Sequence, residues 1–263
     1  IKEWDTSKIK DMTEFFKDEK NIENIDLSQW DVSQVTSMEK LFMASNFNGN
    51  ISNWNTENVQ NMLGIFSKSD FNNDISQWNV SQVKNMRDMF WQNNKFNKDI
   101  STWDTSNVTT MEGMFADSEF NRDISRWNTS KVTSMRAMFQ SSKFNGQINT
   151  KYVNDKKYWD VSNVIKMKNL FNNSKFNQKI NKWNTTKVID MDSMFKDSKF
   201  TGDINTKPIF DSTNKKIKYF AWDVSNVKIM KEIFNQSKDD DNIGNINIFN
   251  WKINLNCNIF NFM

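Results

Sequence analysis

Tryptophan returns along this chain at a fixed interval, and that periodicity restricts the fold more than any other feature. Aligned on Trp4, Trp30, Trp54, Trp78, Trp103, Trp127, Trp159, Trp183, Trp222 and Trp251, the undisturbed spacing is 24 residues. Eight positions after each of the first nine stands a Met, and twelve positions after stands a Phe, as in Met62 and Phe66 or Met86 and Phe90. Val or Ile recurs at plus five, and a Leu, Ile, Met or Phe at plus eleven. So short a unit cannot bury that many large apolar groups alone, so successive units must stack and share one interior. A Trp buried there removes about 200 Å² from water and supplies about 5 kcal/mol before entropy opposes it.

The apolar intervals change within each unit, so the backbone must change conformation there too. Spacing of two in Trp78-Asn79-Val80, with β-branched and aromatic residues, predicts one short strand. Farther on, a short polar residue such as Ser37 or Asn61 precedes the Met, where it can cap a starting helix. Met38, Leu41 and Phe42 then share one helical face. The predicted fold is an α/β solenoid, a right-handed array with one short parallel strand and one short helix per coil of about 24 residues.

All of residues 1–263 read as a single repeat domain, with about nine repeats in 1–241. Insertions fall near 17–24, 149–158 and 205–221, each after the helical half of its unit. They read either as recognition elements or as tolerated surface variation. Around Trp251 the plus-eight Met and plus-twelve Phe are missing, which makes residues 242–263 a degenerate C-terminal capping unit.

Charge and composition narrow the function classes. Lys plus Arg total 35 and Asp plus Glu 32, a net +3, which gives no basic footprint and no expectation of nucleic-acid binding. Histidine is absent, so the commonest general base and metal ligand are missing. We expect no catalytic residues, no metal and no cofactor, and therefore no enzyme. The acidic run Asp239, Asp240, Asp241 lacks the spaced oxygens of a calcium loop. Cys257 is the single cysteine, so disulfides play no part. No apolar run reaches the length of a membrane span. The chain opens inside a repeat and reads as a fragment or processed product.

The unit Phe-Asn-x-Asp-Ile-Ser-x-Trp-Asp/Asn-Val/Thr-Ser-x-Val-x-x-Met-x-x-Met-Phe, best seen at 71–90, 96–115 and 120–139, resembles the mycoplasma-type repeat of the BspA-like leucine-rich-repeat surface proteins. That resemblance covers nearly the whole chain. It implies a leucine-rich-repeat-like solenoid with a parallel sheet on one side. It also implies a bacterial envelope protein at the cell surface, often a lipoprotein, associated with cell adhesion. Membrane association would come only through an anchor absent from this chain.

If Trp and the plus-two residue point inward, the minus-one, plus-one and plus-three columns face outward from the sheet. The plus-one column includes Asp104, Asn128, Asp160 and Asn184, followed two residues later by Ser or Thr. Such pairs either contact a ligand or cap turns. The minus-one column varies most, and Arg126, Tyr158 and Lys182 combine charge with aromatic surface as the preferred contacts. Trp91 stands off the Trp register, either exposed or packed locally, and the Phe-Asn asparagines such as Asn72 and Asn97 suggest an internal ladder. The function expected is recognition or adhesion, binding a host or extracellular protein or glycan through the strand-side face and loops. The alternative is a structural or antigenic coat with no specific ligand.

Overall fold

A computed structural model describes residues 4–154, 156–235, 246 and 248–261. Successive repeats lie on one another, and the aromatic columns run through the stack. Trp54 and Trp78 are parallel to within 4° at 6.2 Å, and Trp103 and Trp127 to within 8° at 6.3 Å. Beside them run two Phe columns, with Phe42 to Phe66 at 5.9 Å in one and Phe47 to Phe71 at 6.3 Å in the other. Met, Val and Ile from the same registers complete one continuous apolar interior. From Trp54 onward the column indoles also have a polar anchor. Trp78 Nε1 donates to the Ile51 carbonyl (3.0 Å) and Trp127 Nε1 to that of Ile100 (3.1 Å), three residues before the Trp of the preceding repeat.

The predicted α/β solenoid is not what builds these repeats. Among the described residues there is no helix, and the strands form two antiparallel pairs that lie outside the repeat itself. Neither the helix-plus-strand coil nor the parallel sheet of a leucine-rich-repeat array is present. Neighbouring repeats meet instead through single-residue parallel bridges at plus seven, such as Ser37 to Asn61 and Asn61 to Asn85.

A run of tight turns replaces the helix. In the second half of each unit alternate amides serve two purposes. Leu41, Met43 and Ser45 donate back three residues, to the carbonyls of Met38, Lys40 and Phe42. Met38, Lys40, Phe42 and Ala44 donate outward, to Asn61, Leu63, Ile65 and Ser67 of the next repeat at 2.7 to 3.0 Å. A helix would have kept every interior amide for its own carbonyls four residues back. Holding the turns requires left-handed backbone at plus ten and plus fourteen, as at Lys40 (φ 51), Ala44 (φ 55), Asp88 (φ 54) and Gln92 (φ 54). That conformation costs about 1 to 2 kcal/mol at a non-glycine residue. The inter-repeat bonds and the ring stacking offset it.

The segment expected to be a strand is also made of turns. Val83 donates to the Val80 carbonyl (2.9 Å) and Trp78 to the Ile75 carbonyl (3.1 Å), so the chain bends on both sides of Trp78. The Phe-Asn asparagines do form a ladder: the Asn72 amide donates to Asn48 Oδ1 (2.9 Å) and the Asn121 amide to Asn97 Oδ1 (3.0 Å). In the last unit Trp251 stacks on Trp222 at 6.2 Å and Met230 donates to the Asn258 carbonyl. The acidic run at 239–241 lies outside the described residues.

Candidate binding site

Two of the three insertions fold into hairpins. The insertion near 149–158 forms β1 (Lys151–Val153) and β2 (Lys156–Tyr158), paired antiparallel with Lys151 opposite Tyr158. The one near 205–221 forms β3 (Lys207–Phe210) and β4 (Ile217–Ala221), with Pro208 opposite Phe220 and a register shift between Ile209 and Phe210. Both leave the stack at the same point of the repeat, just before a Trp. Where no insertion exists the chain passes through Ile180-Asn181-Lys182-Trp183 and the Trp183 amide closes a turn on Ile180. At the hairpins that turn is replaced. Trp159 and Trp222 take φ of 48° and 51° and their amides donate to Trp127 and Trp183 of the preceding repeat. A hydroxyl closes each base: Thr150 Oγ1 donates to the Trp159 carbonyl and Thr206 Oγ1 to the Trp222 carbonyl, both at 2.7 Å.

The two hairpins meet over the repeat between them. Tyr219 of β4 donates its hydroxyl to the Lys182 carbonyl (2.6 Å), and Lys157 Nζ stands 5.9 Å from the Tyr219 ring. Lys218 Nζ lies 4.4 Å over the Tyr152 ring. Burial raises the Tyr219 phenol to about 12, so it remains a donor at neutral pH. Between the hairpins opens a cleft of about 640 Å³, lined in part by Lys151, Tyr152, Lys182, Phe210, Lys218 and Tyr219. Large apolar side chains remain exposed on the same structure, including Phe210 at 55 % and Ile217 at 52 %.

Asp211 begins the β3–β4 turn. Its carboxylate accepts from the amides of Thr213 (2.8 Å) and Asn214 (3.2 Å) and from the Thr213 hydroxyl, and these bonds lower it to about 2. Asp160 is buried, which opposes ionisation, but Lys157 at 2.7 Å and Ser162 outweigh that and hold its carboxyl below the ordinary range. Among the described residues no group of three or more Cys, Asp or Glu side chains is placed to hold a metal ion.

The sequence-predicted residues divide between two settings. Asp104, Asn128, Asp160 and Asn184 all cap turns: Oδ1 of each accepts from the amide two residues on, at Ser106, Ser130, Ser162 and Thr186. They face no strand-side surface, because among the described residues no sheet runs along the stack. Tyr158 is half-buried on β2, and Arg126 is exposed on its repeat. Lys182 alone of the seven lines the cleft. The sequence reading missed Tyr152, Phe210, Lys218 and Tyr219. Alternation of lysine with aromatic and β-branched residues in Lys-Tyr-Val and Ile-Lys-Tyr-Phe was the signal that could have found them. Trp91 packs locally, its Nε1 donating to Asp117 at 3.1 Å and Lys68 Nζ lying 4.6 Å over its ring.

Fold and cleft together define a protein of turn-built stacked repeats that carries paired hairpins. The chain belongs to the family described as Mycoplasma protein of unknown function, DUF285, whose model matches residues 1–82, 66–157 and 150–261. This corrects the BspA-like leucine-rich-repeat assignment, since neither that family nor its helix-and-strand architecture is found. No curated protein and no solved structure matches the chain. Adhesion through a strand-side face falls with the architecture, because the described residues form no such face.

Proposed function

We propose that this chain is a non-catalytic binding module in which the stacked repeats are a rigid support and the two hairpins are the contact elements. One observation carries the reading: the hairpins leave the stack on either side of a single repeat, approach each other through Lys157 and Tyr219 and through Lys218 and Tyr152, and keep large apolar side chains in solvent. A protein that merely tolerated insertions would gain nothing by exposing Tyr152 and Phe210 in one cleft, with Ile217 and Phe220 also in solvent on the same hairpins. The polar columns of the repeat support the same reading from the other side, since their oxygens are engaged in turn caps and ladders.

Excision of both hairpins tests this. Deleting 150–157 joins Asn149 to Tyr158, and deleting 206–220 joins Asn205 to Ala221. Each deletion restores the Ile-Asn-x-Trp passage seen at Trp183 and brings the Trp interval to 24 residues. Intact and excised chains are then compared on protein, peptide and glycan arrays. Saturable binding by the intact chain that disappears on excision supports the proposal. Binding that survives excision, or turnover of a substrate by both forms, overturns it.

A further inference from the structure

The hairpin cleft has a chemical bias that the whole-chain composition hides. Together β1–β2 and β3–β4, with their turns, carry seven lysines against two aspartates, Asp155 and Asp211. That excess is larger than the +3 of the entire chain, so the rest of the chain is net acidic. Lys157 and Lys207 pair with Asp160 and Asp203 at the hairpin bases, and Asp211, though engaged by its own turn, still interacts with Lys218, which leaves the cleft with more lysine than carboxylate. Lys151, Lys182 and Lys218 reach the cleft from its two walls and its floor.

Geometry adds a shape requirement. The hairpins stand two repeats apart, with the hairpin-free repeat of Trp183 between them. At about 4.8 Å per ladder step their bases are about 10 Å apart, and because Lys157 reaches Tyr219 and Lys218 reaches Tyr152 across that gap, an extended chain would lie along the cleft and not pair as a strand between the hairpins. Among the described residues no backbone hydrogen bond joins the two hairpins. Ile209 and Phe210 of β3 stand among the lysines in the cleft lining, which suits alternating side chains of a peptide better than sugar rings or bases.

We propose that this cleft binds an extended acidic segment of another protein, its carboxylates meeting Lys151, Lys182 and Lys218 and its apolar side chains lying against Phe210 and Tyr152. The inference rests on the reading of the hairpins as contact elements and specifies their ligand.

The test uses the full chain and a fluorescently labelled octapeptide of alternating Glu and Val, followed by anisotropy. The matching Lys-Val octapeptide, an oligogalacturonate and a twelve-residue oligothymidylate are run beside it. Saturable binding of the Glu-Val peptide alone is expected, weakening at least about tenfold in the Lys182→Glu, Lys218→Glu double variant and with rising salt. Both lysines are exposed, so the variant should fold, and unchanged circular dichroism checks that it has. Equal binding of the Lys-Val peptide, indifference to the charge reversal, or tighter binding of the uronate or the oligonucleotide overturns the inference. An array partner that is lost on hairpin excision yet insensitive to the charge reversal overturns the acidic ligand and leaves the hairpin reading intact. Retention of every partner after excision overturns the hairpin reading itself.

Discussion

At the scale of single residues, the repeat is held by groups that each serve two neighbours. The Ile75 carbonyl accepts the Trp78 amide within its own repeat and the Trp103 indole from the next. Trp103→Phe keeps a ring in the column but removes that second bond and leaves a small void. We expect a loss of about 2 kcal/mol, read by urea denaturation. Left-handed positions give the opposite sign. Ala137 is held at φ 55, so Ala137→Gly relieves more strain than it adds chain entropy and should stabilise by about 0.5 to 1 kcal/mol in the same measurement. Gly113 sits in the equivalent position at φ 59, and a Cβ there would meet the Asp88 carboxylate. Gly113→Ala should therefore destabilise, by about 1 kcal/mol or more. None of these effects is visible as a residue preference, because only two of the nine first plus-ten residues are glycine.

At the scale of elements, the hairpins are additions to a unit that is complete without them. Their excision restores the turn between Ile and the following Trp, so we expect the shortened chain to melt within a few degrees of the parent. A collapse of the thermal midpoint would show that Tyr219 and its neighbours support the stack as well. The β3–β4 turn offers a pH test. The Asp211 carboxyl lies at about 2 in the folded chain and is raised on unfolding, so the support it gives is complete above about 4. It is lost as pH falls through about 2. The Asp211 carboxyl resonance followed by NMR should titrate near 2, and Thr213→Ala should move that midpoint upward.

At the scale of the whole molecule, the helix-free stack should be evident in solution. Far-ultraviolet circular dichroism should lack the double minimum of α-helix despite the repeating i, i+3, i+4 apolar pattern. Amide exchange should protect Met111, Gly113, Phe115 and Asp117, which donate to Ser134, Arg136, Met138 and Gln140 of the next repeat. Helical dichroism, or fast exchange at those amides, would contradict the ladder.

The sequence by itself determined the repeat length, the inward columns of Trp, Met and Phe, and the asparagine ladder, because burial and periodicity are read residue by residue. Each insertion is also a lengthened Trp interval, and the hairpins stand at the two later ones. Only the tertiary structure decided between helix and turns. Met38, Leu41 and Phe42 fall on one side of either, and the choice went to turns because the next repeat supplies carbonyls at Asn61, Leu63 and Ile65. No single unit contains that information. The cleft was hidden for the same reason: Tyr152, Lys182 and Tyr219 are far apart along the chain, and stacking alone brings them together.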